Sequence, residues 1–130
     1  MPGSKLLSAP LSATTVTELG ALTVQVRRDG GTHVLALSGE LDIASADAVE
    51  AELERIEATV ALQDIVVDLR GLGFIDSTGL RLLIAASRRA ETAAYRLRLV
   101  RPGRAVFRVF EIAAVDALLP FVDAPTEADA

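Results

Sequence analysis

The chain contains no cysteine. Disulfides, thiol redox chemistry and cysteine-ligated metal are therefore excluded, and the composition suits a reducing cytoplasm. There is one histidine, His33, which leaves no second imidazole for a metal pair. Long apolar runs are also missing. Apolar runs such as Ile65 to Leu69 are far short of the roughly 20 residues that a membrane span needs. The opening "MPGSKLLSAPLSATTVTELG" is broken by Pro10 and diluted by Ser and Thr, so it lacks the apolar centre of a signal peptide. Positive charge is in the minority, at a net −5, which argues against general affinity for nucleic acid or acidic membranes. The expectation is a soluble, cytoplasmic protein with no direct nucleic-acid or membrane partner.

What is present is enough apolar material for one core: 51% of 130 residues are hydrophobic. Residues 1–20 are rich in Ser, Thr, Ala and Pro without periodicity and read as a flexible extension. Residues 21–125 read as a single domain, followed by a polar tail over 126–130. In "LTVQVRRDGGTHVLALS" two alternating segments flank "DGG", the pattern of a hairpin. Ala46, Val49, Leu53, Ile56 and Val60 then recur every three or four residues and predict an amphipathic helix, with Asp42 or Ser45 available to cap it. "DIVVDL" reads as a central strand covered on both faces. A second helix is expected from Ser77 to about Ala90, with Leu80, Leu83, Ile84 and Ser87 inward, then a strand at "YRLRLV". "RAVFRVFEIA" supplies a third helix with Val106, Val109 and Phe110 inward, and "LLPFV" a last short strand. The order implies an α/β fold with parallel strands joined by crossovers and a hairpin at the start.

The seam "FIDSTGLRLL" sets Asp76, Ser77, Thr78 and Gly79 between a strand and a helix. Small polar residues there either cap the helix or form a regulated site. A helix amino terminus carries free N–H groups and about half a positive charge, so an anion added there need not unfold the domain. Phe74 and Ile75 read as core. Gly39 and Gly79 read as backbone or packing requirements, and Gly71 and Gly73 as a tight turn, since no P-loop lysine follows. From Arg81 to Arg108 there are eight arginines against Glu91 alone. Of these, Arg81 and Arg88, seven apart on one helix face, are the candidates for an acidic partner, while Arg104 and Arg108 read as solvated decoration. A serine hydrolase is disfavoured, because His33 sits on the predicted hairpin and no G-x-S-x-G elbow surrounds Ser77.

Taken together, "SGELDIASADAVEAEL", "IVVDLRGLGFIDSTGLRLLIAA" and "LRLVRPGRAVFRVFEIAAVDALLPFV" resemble, in order and spacing over residues 20 to 125, the STAS domains, and within them the bacterial anti-sigma-factor antagonists. The resemblance implies a small mixed sheet of four or five strands backed by helices. It implies a binding module, not an enzyme, that needs no cofactor or metal. Its partner would be an anti-sigma factor, often itself a serine protein kinase, released when the antagonist's serine is phosphorylated and recovered through a phosphatase. Ser77 matches the acceptor serine, and Thr78 stands where relatives carry a second hydroxyl. Asp42 matches a position beside that serine, so the expected partner-binding set is Asp42, Asp76, Ser77, Thr78, Gly79, Arg81 and Arg88. STAS domains also serve as subunits of transport systems and stress-sensing assemblies, which is the alternative role.

Overall fold

The computed structural model describes residues 14–124. Six strands form one sheet in sequential order: β1 (Thr14–Leu19), β2 (Leu22–Asp29), β3 (Thr32–Leu41), β4 (Asp64–Ile75), β5 (Arg96–Val100) and β6 (Phe121–Val122). β1, β2 and β3 pair antiparallel, and β3 to β6 run parallel. Three helices fill the crossovers: α1 (Ala46–Glu57), α2 (Ser77–Thr92) and α3 (Arg104–Ile112), with a short 3-10 turn at Asp116–Leu118. The mixed sheet and the hairpin start agree with the expected architecture.

The sheet has one strand more than expected. Thr14–Leu19, read from the sequence as part of a flexible extension, is a sheet edge. β1 turns into β2 through Gly20 and Ala21, with Gly20 at φ +66° in the first turn position, the arrangement of a tight hairpin. Thr and Val are β-branched and suit such an edge, a signal that the Ser/Thr-rich composition masks. Residues 1–13 of the expected extension, and the expected tail over 126–130, lie outside the described residues.

β4 is covered on one face, not both. Ile65, Val67 and Leu69 are buried, whereas Asp64, Val66 and Asp68 are half-buried. The second face carries the Arg96–Asp64 and Arg70–Asp68 pairs, both at short distance (2.8 and 2.7 Å), and those charges need water. Burial raises the Asp68 pKa, but hydrogen bonds from Arg70 and its charge outweigh this and leave it below the ordinary carboxylate value.

The apolar stripes fall close to expectation. Ala46, Val49, Leu53 and Ile56 of α1 are buried in one apolar cluster with Leu80, Leu82, Leu83 and Ala86 of α2 and the inward residues of the sheet. Val60 does not extend the stripe: α1 ends at Glu57 and Val60 is exposed. Ser87 is buried as expected, with Ile84 only half-buried, and α2 runs two residues past Ala90. In α3, Val106 and Phe110 point inward with Val109 partly so, and Phe110 meets Phe107 and Phe121 at centroid distances of 6.1 and 5.1 Å.

Gly71 and Gly73 are not turn residues. They lie inside β4, where its register against β3 slips twice, once between Ala36 and Ser38 and again between Gly39 and Glu40. Each slip fits an extra β4 residue opposite β3, and a side chain on Gly71 would collide with Ser38 Oγ and, at 2.9 Å, the Leu37 carbonyl.

Candidate functional site

The parallel pairing of β3 with β4 ends at Leu41 opposite Ile75. The residues that follow, Asp42 and Asp76, therefore leave the sheet side by side, and the motifs "GELD" and "DSTG" share the carboxyl edge of the sheet. Gly79 brings α2 tight against this edge. A Cβ there would stand 2.7 Å from Ile75 Cγ1 and 2.9 Å from the Leu41 carbonyl oxygen, so the position demands glycine for close approach.

Asp76 is the N-cap of α2. Its Oδ1 accepts from the Gly79 amide at 3.0 Å, and its Oδ2 accepts from the Ile43 amide of the β3–α1 loop at 3.1 Å. Asp42 works on the same loop, its Oδ1 accepting from the Ala44 and Ser45 amides at 3.0 and 3.3 Å. Ser45, buried, donates to the Glu40 carbonyl at 3.1 Å and accepts from the Asp42 amide at 3.1 Å. Neither side chain caps the free first turn of α1, contrary to the sequence expectation; both fold the loop that leads into it. Three successive amides, Ile43, Ala44 and Ser45, thus point to two carboxylates. The Ile43 side chain is left 76% exposed.

Ser77 opens α2 and is exposed, and Thr78 beside it is half-buried. The first amides of a helix lack intrahelical acceptors, and Asp76 occupies one of them, so the others and the helix dipole face the region around Ser77. This is an environment for an added anion. Arg81, exposed, stands one turn further on. Arg88 is exposed too, but at 1.5 Å per residue it lies about 16 Å along the helix from Ser77, so the structure does not gather it into the site. Asp42, Asp76, Ser77, Thr78 and Gly79 are brought together.

Two residues at this edge escaped the sequence reading. Phe74 was expected in the core and is 48% exposed, paired in register with Glu40; Ile75 is buried as expected. Strand alternation places Phe74 outward once Ile75 is inward, and the register slip at Gly73 falls just before it. Ile43 and Phe74, two of the large exposed apolar side chains, flank the Asp-Ser-Thr-Gly turn. Exposed apolar side chains beside a polar cluster are what a protein partner covers.

His33 is buried at the start of β3, opposite Ile65, ten β4 residues away from Ile75. That is about 30 Å of strand, so no imidazole reaches Ser77 to act as its base. Among the described residues no group of three or more His, Asp or Glu side chains is arranged to hold a metal ion. Among them also, no helix is long and apolar enough to cross a membrane.

A six-stranded mixed sheet whose carboxyl edge presents this capped Asp-Ser-Thr-Gly turn is a STAS domain: the family model for the STAS domain matches residues 23–130, and the chain belongs to that family. The chain is 30% identical over 84 residues to an anti-sigma F factor antagonist of Lysinibacillus sphaericus, covering 65% of this chain and 72% of that protein. The anti-sigma factor antagonist SpoIIAA in its unphosphorylated form superposes with a TM-score of 0.64 at 26% identity, over 90% of this chain and 91% of that one. The Bacillus cell fate determinant SpoIIAA in its phosphorylated form superposes at 0.59 and 25% identity, over 90% and 95%.

Proposed function

We propose that this chain is an anti-sigma-factor antagonist: a binding module without catalytic activity that captures an anti-sigma factor in the cytoplasm, frees a sigma factor, and is switched off by phosphorylation at Ser77. The observation that carries the reading is the exposure of Ser77 at the first position of α2, beside the Asp76 cap and the Asp42 loop. The resemblance to antagonists solved with and without phosphate supports it. The partner would cover Asp42, Asp76, Ser77, Thr78 and Gly79 together with Ile43 and Phe74, with Arg81 and Arg88 extending the surface along α2 for acidic contacts.

Phosphate on Ser77 adds about −1.5 to −2 charges beside Asp76. An interface built to bury a neutral hydroxyl then has to desolvate a dianion next to a carboxylate, and each 1.4 kcal/mol of that penalty is tenfold in affinity. The partner would be the kinase that places the phosphate, and a phosphatase would remove it. The test is recovery of the proteins bound to the tagged chain from its host, followed by incubation with ATP and mapping of the modified residue by mass spectrometry. The expected result is an anti-sigma factor that phosphorylates Ser77 and binds Ser77→Ala but not Ser77→Asp. Modification confined to Thr78 would move the acceptor, and equal binding of both Ser77 variants would remove the switch.

A further inference from the structure

Asp76 carries two hydrogen bonds that lead to different elements, one to its own helix and one to the loop after β3. We infer that Asp76 is a positioning residue: its two carboxylate oxygens staple the Ile43 loop to the amino terminus of α2, and the partner reads the exposed Ile43 side chain that this staple sets in place, not the negative charge of Asp76. The inference rests on the proposed docking of an anti-sigma factor at this edge and adds the means by which the surface is shaped.

The loop is anchored at its α1 end, where Ser45 is buried and bonds to Glu40 and Asp42, but not at Ile43. The Ile43 side chain is 76% exposed and contributes nothing to the core, so the position of that residue against α2 depends on its backbone. The Ala44 and Ser45 amides are tied to Asp42, within the same loop, which fixes the loop's shape but not its place against α2. In that loop, the Ile43 amide on Asp76 Oδ2 is the side-chain link that crosses to the other motif, 33 residues on. The backbone bond from the Asp76 amide to the Leu41 carbonyl at 3.3 Å continues the sheet up to this point and stops there. Only a carboxylate offers two acceptor oxygens in this geometry. Asparagine offers one and turns a donor N–H₂ toward the second amide. Asparagine caps helices as well as aspartate does, so it retains the Gly79 bond and gives up the one to Ile43.

The substitution series separates position from charge. Asp76→Asn keeps the cap and loses the staple and the charge; Asp76→Glu keeps the charge and displaces both bonds by one methylene; Asp76→Ala loses all three. Amide exchange followed by NMR on the free protein reads the Ile43 and Gly79 amides, thermal unfolding reads the helix cap, and affinity is measured against the anti-sigma factor recovered with the wild-type chain. The expected pattern is an Ile43 amide that exchanges about tenfold faster in Asp76→Asn, with Gly79 unchanged and Tm within about 2 °C of wild type. Binding falls in Asp76→Asn and falls at least as far in Asp76→Glu and Asp76→Ala, by a ratio that does not change between low and high salt.

An Ile43 amide that exchanges equally fast in wild type and Asp76→Asn overturns the staple. Wild-type binding by Asp76→Glu with weak binding by Asp76→Asn, at a ratio that shrinks in salt, overturns it in favour of a charge contact. Should no anti-sigma factor be recovered, the functional reading falls, and with it the claim about what the partner reads, whereas the exchange data still decide whether Asp76 holds the loop.

Discussion

At the scale of single residues, burial sets two measurable consequences. His33 is buried at the start of β3, and its Nδ1 meets no hydrogen-bond partner among the described residues. Burial, then the positive charges of Arg28 and Arg55, hold its pKa below the ordinary 6.5. As pH falls the unfolded chain therefore takes the proton first, so His33's share of stability is complete above about pH 6.5 and is lost as pH falls toward the folded-state value. Urea unfolding midpoints measured at pH 7.5 and 5.5 are expected to drop in the wild type by more than in His33→Gln; equal drops would show that the imidazole is not the group responsible. Gly79 gives a steric counterpart. A methyl group there meets Ile75 Cγ1 at 2.7 Å and the Leu41 carbonyl at 2.9 Å, and the carbonyl belongs to a strand that cannot retreat. Gly79→Ala is expected to cost about 1–3 kcal/mol, read as a lower urea midpoint with an unchanged slope.

Between elements, the far ends of α1 and α2 are joined by a polar network of their own. Arg89 Nε donates to both Glu57 oxygens at 3.0 and 3.1 Å, its Nη1 lies 2.8 Å from Glu50, and the Tyr95 hydroxyl donates to Glu57 at 2.7 Å. Burial, then the hydrogen bond to Glu57, raises the Tyr95 pKa, so the phenol remains a donor through the physiological range. Tyr95→Phe removes that donor from a half-buried carboxylate and is expected to destabilise by about 1 kcal/mol, a fall in Tm of roughly 4 °C. A Tm unchanged within error would mean that water replaces the hydroxyl without loss. Each helix was legible in the sequence because its apolar spacing has to match the face it buries, as Val49, Leu53 and Ile56 do. β1 was not, since an edge of Thr and Val depends on its neighbour rather than on an apolar run. The slips at Gly71 and Gly73 were not legible either, because a bulge is a relation between two strands. The same holds at the site. Asp76, Ser77 and Gly79 could be picked out by residue type, but the bond from Asp76 to Ile43 exists only once the β3–β4 register has put the two motifs next to each other.

For the molecule as a whole, the two polar clusters occupy opposite ends of the sheet, and the core lies between them. The Glu57–Arg89–Tyr95 network ties the helices at the end where β4 begins, and the Asp42–Asp76 edge stands where β3 and β4 finish, the end at which parallel sheets commonly place their sites. Ser77 is exposed, outside the apolar cluster that holds the sheet to α1 and α2, and its helix terminus favours added negative charge. On the proposed reading, the exposed Ser77 hydroxyl serves recognition while the buried core carries stability, so a modification at Ser77 would act on the first and spare the second. The quantitative expectation is that protein carrying phosphoserine at position 77 melts within about 2 °C of the unmodified chain, while its affinity for the anti-sigma factor falls by about 100-fold or more, the equivalent of roughly 2.7 kcal/mol at the interface alone. Thermal unfolding and titration calorimetry on the same two preparations measure both quantities. A phosphorylated chain that loses binding only in proportion to a large loss of Tm would place the switch in the core, and the separation between the two ends of the sheet would then have no part in the mechanism.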